Sequence, residues 1–179
     1  SNDIFIAKAL SSGIWEWGAR VSGTSGENNV NVILDNCCNV YVSGNYSSGF
    51  ISFYNGIYGG SAAGSIQFDL SNSTADLNDV FLAKILRTGI WEWGARIAGV
   101  EGESSIPESN LVLGHCGDVY ITGTYGSPVL SFYNAISRDS APGTVQFSLE
   151  NSGLADTFIG KISPTGEWQW ASRVSGISS

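Results

Sequence analysis

The stretch GIWEWGAR occupies residues 13–20 and returns unchanged at 89–96; a variant, GEWQWASR, stands at 166–173. All six tryptophans of the chain lie in these three segments: Trp15, Trp17, Trp91, Trp93, Trp168 and Trp170. Working outward, NDIFIAKALSSGIWEWGARVSG (2–23) aligns with NDVFLAKILRTGIWEWGARIAG (78–99) and with DTFIGKISPTGEWQWASRVSG (156–176). Within this segment Phe5, Phe81 and Phe158 correspond, as do Lys8, Lys84 and Lys161, and Arg20, Arg96 and Arg173. A second segment occurs twice: CCNVYVSGNY (37–46) matches CGDVYITGTY (116–125), ISFYNGI (51–57) matches LSFYNAI (130–136), and GSIQFDLSNS (64–73) matches GTVQFSLENS (143–152). The repeat unit is therefore roughly 77 residues long, and the chain reads as a half-unit at 1–23 followed by units at 24–99 and 100–179.

Alternating apolar and polar residues bounded by Gly, Ser and Asn predict strands over DIFIAKAL, IWEWGARVS, NVYVSG, FISFY, SIQFDL and DVYITG, joined as antiparallel hairpins. No stretch keeps a helical period with caps at both ends. In the first hairpin, SSG, RTG and PTG each end in a glycine suited to the left-handed position of a three-residue loop. That loop pairs Leu10 with Ile14 and puts Lys8 opposite Glu16, Lys84 opposite Glu92, Ala9 opposite Trp15 and Ala7 opposite Trp17. Strict alternation then predicts Trp15, Trp17, Ala19 and Val21 on one face, with Glu16, Gly18 and Arg20 on the other. Phe5 falls on the tryptophan face, and Ile4 and Ile6 on its opposite. A sheet apolar on both faces has to be covered on both faces, as a blade between two blades is. The six tryptophans are thus expected to form the blade core.

The pattern D-[IV]-F-[IL]-A-K-x-L-x-x-x-G-x-W-x-W-x-x-R, followed by N-V-Y-V-S-G-N-Y, resembles the SBBP type of β-propeller repeat over Asp3–Arg20 and Asn39–Tyr46 and their later counterparts. The resemblance implies a propeller and no particular activity. The unit is longer than is common in that family, and the excess, 47–78, is expected to add or lengthen a hairpin in each blade. The expected fold is all-β, with antiparallel propeller-like blades in about two and a half repeat units. That is too little to close a ring, since propellers have about four blades or more. Open edges and apolar faces favour association, so the expected partner is a second copy of the chain or the remainder of a longer propeller chain.

The charge balance narrows the function. The formal net charge is −8, with only eight Lys and Arg in total and no cluster among them. This excludes nucleic-acid binding and attraction to anionic membranes. No apolar run is long enough to span a bilayer as a helix. Cys37, Cys38 and Cys116 are an odd number without zinc-ligand spacing, and are expected to be small buried groups in a reducing compartment. With no visible secretory segment, they lean the chain toward an intracellular location. Nothing calls for a cofactor or metal. The lone histidine, His115, adjoins Cys116, but neighbours on a strand face opposite ways, so a solvated turn is expected rather than a catalytic pair. Asp76 with Asp79, and Glu101 with Glu103, do not match a calcium loop, and GIYGGSAAG (56–64) lacks the features of a phosphate loop. NYS (45–47) and NST (72–74) match the glycosylation acceptor pattern. One ligand site suggests itself: the repeated SFYN, whose Tyr54, Asn55, Tyr133 and Asn134 combine an aromatic face with an amide as glycan sites do. The leading expectation is nevertheless a non-enzymatic scaffold or protein-interaction module, with a glycan-binding propeller as the alternative.

Overall fold

A computed structural model describes residues 2–58, 64–72, 77–99, 110–138 and 143–175. Its elements are all strands: β1 (Ile4–Ala9), β2 (Trp15–Gly23), β3 (Glu27–Leu34), β4 (Val40–Tyr46), β5 (Phe50–Ile57), β6 (Ile66–Ser71), β7 (Asp79–Ile85), β8 (Trp91–Gly99), β9 (Asn110–Leu113), β10 (Val119–Tyr125), β11 (Val129–Ile136), β12 (Val145–Glu150), β13 (Asp156–Ile162) and β14 (Trp168–Val174). They form three antiparallel sheets. The first has the order β1-β2-β5-β6, the middle one β12-β11-β8-β7-β4-β3, and the last β14-β13-β10-β9.

The sheets stack face to face, and one apolar core fills each gap. Ile4, Ile6, Trp17, Val21, Ile51 and Phe53 of the first sheet meet Val42, Tyr46, Phe81, Ala83 and Trp91 of the middle sheet. On the opposite face, Tyr41, Leu82, Trp93, Ile97 and Phe132 meet Ile121, Tyr125, Phe158, Ile162 and Trp168 of the last sheet. The middle sheet is apolar on both faces because it is covered on both, the condition read from the sequence. The fold is thus all-β, with blade-like sheets and an unclosed ring.

The topology carries a feature that linear repeats do not reveal. Consecutive hairpins alternate between sheets: β1–β2 lies in the first, β3–β4 in the middle, β5–β6 back in the first, and β7–β8 in the middle again. The next three go to the last sheet, the middle one and the last one in turn. The middle hairpin of each unit, 24–99 and 100–179, is therefore given back to the preceding sheet. The excess segment of the repeat contributes β5–β6 and its counterpart β11–β12, which return to the sheet that the chain has just left. Strands β3 and β9 did not stand out in the sequence, although Val30, Val32 and Leu34 alternate within ENNVNVIL.

The tryptophan hairpin departs from the expected register. Its loop is as anticipated: Gly13 has φ 82°, Gly89 78° and Gly166 86°. Leu10 N–H donates to Ile14 O at 2.8 Å, as the expected pairing requires, and Ala9 pairs with Trp15. A bulge then intervenes, so that Lys8 pairs with Trp17 and Ala7 with Gly18. The same shift puts Lys84 opposite Trp93 and Lys161 opposite Trp170. A bulge sets two residues against one and breaks the two-residue alternation. The two tryptophans of each pair consequently face opposite sides of the sheet, not the same side as expected. Phe81 shares a face with Trp91 and not with Trp93. The Lys–Glu pairing survives the shift, with Lys8–Glu16 at 2.8 Å and Lys84–Glu92 at 2.7 Å. The small residue on the partner strand makes room for the first tryptophan, not the second: a Cβ on Gly160 would sit 3.0 Å from the Trp168 ring.

Candidate interaction surfaces

Each gap between sheets is stitched by the same set of hydrogen bonds. The second tryptophan of one sheet donates to a loop carbonyl of the next: Trp17 Nε1 to Arg87 O at 3.0 Å, and Trp93 Nε1 to Pro164 O at 2.9 Å. The first tryptophan of the following sheet donates back to the tyrosine carbonyl of SFYN: Trp91 Nε1 to Tyr54 O, and Trp168 Nε1 to Tyr133 O, both at 3.0 Å. A buried indole N–H needs such a partner. The bulge is what lets one Trp-x-Trp segment serve two gaps.

SFYN belongs to the same stitching. Asn55 Oδ1 accepts from the backbone N–H of Trp91 and Asn55 Nδ2 donates to Gln67, while Asn134 repeats both contacts with Trp168 and Gln146. Phe53 and Phe132 pack edge-on against Trp91 and Trp168. The rings of Tyr54 and Tyr133 lie under the guanidinium groups of Arg20 and Arg96, at 4.2 and 3.9 Å. These arginines were legible only as a repeated position. Arg96 also donates to Ser71 O at 2.6 Å, the same carbonyl that Tyr46 Oη reaches at 2.9 Å. Tyr125 and Arg173 meet at Glu150 O in the same way.

A cleft of about 410 Å³ opens between β6 and the β8–β11 face, lined among others by Phe50, Asp69, Arg96, Tyr133, Asn134 and Ser137. It gathers Tyr133 and Asn134 but not Tyr54 and Asn55, so the two SFYN copies do not share a site.

The cysteines are exposed, contrary to the expectation that they are buried, because they occupy hairpin tips rather than strands. Cys37 donates its backbone N–H to Asp35, whose carboxylate also holds Asn39. Burial pushes the Asp35 carboxyl up, but those hydrogen bonds outweigh it and hold the group below its ordinary value. His115 is an exposed residue of the matching turn between β9 and β10. Among the described residues no three His, Cys, Asp or Glu side chains gather as a metal site. No helix among them is long and apolar enough to cross a membrane. Asn45, the first residue of NYS, is buried. Asp76, Glu101, Glu103, most of GIYGGSAAG and the last two residues of NST lie outside the described residues.

The end sheets expose what the middle sheet buries. Phe5 is 80% exposed, whereas its counterparts Phe81 and Phe158 are 0% and 1%. Trp15 is 69% exposed against 0% for Trp91 and 2% for Trp168, and Trp170 is 41% exposed against 3% for Trp17 and Trp93. The blade core therefore holds four of the six expected tryptophans. Trp15 and Trp170 face outward from the two ends of the stack.

Three stacked antiparallel sheets built from one interlaced repeat define a β-propeller-like repeat protein. The chain is 25% identical, over 98% of its length, to an uncharacterized WD repeat-containing protein of Acanthamoeba polyphaga mimivirus, and spans about 12% of that relative's length. The likeness supports a repeat of the WD or β-propeller type. No family model matches the chain, and no solved structure matches it.

Proposed function

We propose that the chain is a non-enzymatic propeller-type scaffold that self-associates head to tail through the outer faces of its end sheets. The observation that carries this reading is the exposure of Phe5 and Trp15 on one end and of Trp170 on the other. Residues at these repeat positions form the two sides of the gaps that the molecule closes twice internally. Stacking the last sheet of one copy on the first sheet of another would juxtapose the same kinds of residue, a heterologous contact that builds rings or open arrays. Assignment of the repeat to the SBBP type is part of the same proposal, supported by the pattern around Phe5, Lys8 and Trp17. The test is mass by light scattering over a range of concentrations, for the chain and for a Phe5→Ser/Trp15→Ser variant. Concentration-dependent association that the variant loses supports the reading; a monomer throughout overturns it.

A glycan-binding reading draws on the cleft that contains Tyr133 and Asn134. It is the weaker one, because Arg96 covers a face of the Tyr133 ring and both ends of the Asn134 amide are engaged. A glycan array left blank by the associated protein would remove it.

A further inference from the structure

The geometry points to a strand-addition site on the outer edge of β1, selective for an antiparallel strand of the pattern Tyr-x-x-Gly-x-Tyr carried by a hairpin of a further repeat unit. The inference rests on the reading that the end sheets engage further repeat units, but concerns an edge and not a face.

Strands β7 and β13 are the repeat counterparts of β1, and each carries a strand on the edge that β1 leaves open. On β7 that strand is β4, with Tyr41 opposite Lys84, Gly44 opposite Phe81 and Tyr46 opposite Asp79. On β13 it is β10, with Tyr120 opposite Lys161, Gly123 opposite Phe158 and Tyr125 opposite Asp156. The two added strands read YVSGNY and YITGTY. At the same offsets, β1 and the residue just before it offer Lys8, Phe5 and Asp3. Among the described residues β1 is terminal in its sheet, with β2 on its other side.

Each element of the pattern has a physical reason. Glycine is needed opposite the phenylalanine because a Cβ on Gly44 would fall 2.7 Å from the Phe81 ring. The second tyrosine covers that phenylalanine, with ring centroids 6.4 Å apart for Tyr46–Phe81 and 6.3 Å for Tyr125–Phe158. The first tyrosine lies under the lysine ammonium, 5.6 Å for Lys84–Tyr41 and 5.8 Å for Lys161–Tyr120. Such cation–ring and aromatic contacts add selectivity to the backbone ladder that an edge offers to any strand. With that ladder unformed, the Phe5 ring stands in solvent.

An intact second copy does not supply the occupant. Its β4 is already held between β3 and β7, and its β10 between β9 and β13, so neither Tyr-x-x-Gly-x-Tyr strand is available without opening a sheet. The occupant is therefore a hairpin of this type from another repeat unit.

The experiment uses the whole chain and a synthetic hairpin of its own residues 27–46, with serine in place of Cys37 and Cys38 in the exposed turn. Binding is read by fluorescence anisotropy, and its location by protection of backbone amides. The expected result is saturable one-to-one binding that protects the amides of residues 4–9. Gly44→Val in the peptide, or Phe5→Ala in the chain, should weaken it by about tenfold or more. Absence of binding, equal binding of the Gly44→Val peptide, or protection at β6 or β12 instead of β1 would overturn the inference. Light scattering is recorded in parallel. A monomeric chain that binds the peptide removes head-to-tail self-association and keeps the edge site, and an associating chain that ignores the peptide does the reverse.

Discussion

Trp91 and Trp15 occupy the same place in the repeat and differ only in what covers them. Trp91 is enclosed, packs on Phe53 and donates to Tyr54 O; Trp15 faces solvent. Trp91→Ala should therefore cost roughly 3–5 kcal/mol, as the truncation of a large buried aromatic does. Trp15→Ala should stay within about 0.5 kcal/mol in the monomer. Denaturant titration of the two variants checks the contrast. Glu27, at the start of β3, is a second informative residue. It is buried, accepts from Ser48 Oγ at 2.5 Å through one oxygen, and among the described residues has no hydrogen-bond partner at Oε2. Burial raises its pKa above the ordinary 4.5 despite that hydrogen bond. The folded chain thus binds this proton more tightly than the unfolded chain does. The group's contribution to stability rises as pH falls through the raised value toward 4.5, and is least favourable at neutral pH. Glu27→Gln should raise stability at pH 7 by about 1 kcal/mol and flatten this part of the pH profile, as thermal melts across that range would show.

At the scale of the element, the tryptophan hairpin shows what a sequence can and cannot state. Its loop was legible because a glycine at a fixed offset demands the left-handed conformation. Its charge pair was legible because Lys8 and Glu16 stay within reach in either register. The bulge was not, because alternation is the only rule that sequence offers for facing, and one extra residue reverses it. The side each tryptophan takes was therefore misread, although most of their burial was not. SFYN was legible as a recurring element, but its role was not, since Asn55 and Asn134 bond to residues more than thirty positions away. The loop glycines test this packing. Gly13 and Gly89 share the same left-handed φ, but a Cβ on Gly13 meets nothing within 4 Å, whereas one on Gly89 meets the Trp17 ring at 2.9 Å. Gly13→Ala should cost about 1 kcal/mol from backbone strain, and Gly89→Ala roughly 2–4 kcal/mol from strain plus overpacking. Equal losses in urea titrations would mean that the contact between sheets is looser than described.

At the scale of the whole molecule, the repeat period does not tell how its units are woven. Linear self-similarity is blind to which sheet a hairpin joins, and here the middle hairpin of each unit returns to the preceding sheet. The apolar character of both faces of DIFIAKAL–IWEWGARVS did foretell covering sheets, and the middle sheet has them. The end sheets carry the same residues with one side open, and this asymmetry is the basis of the proposed function. The most direct test is the concentration dependence of mass by light scattering, comparing the chain with its Phe5→Ser/Trp15→Ser variant at equal folded stability. The account predicts a mass that climbs with concentration for the chain and stays at one protomer for the variant. A chain that stays at one protomer at every concentration, or a variant that associates just as strongly, would contradict it.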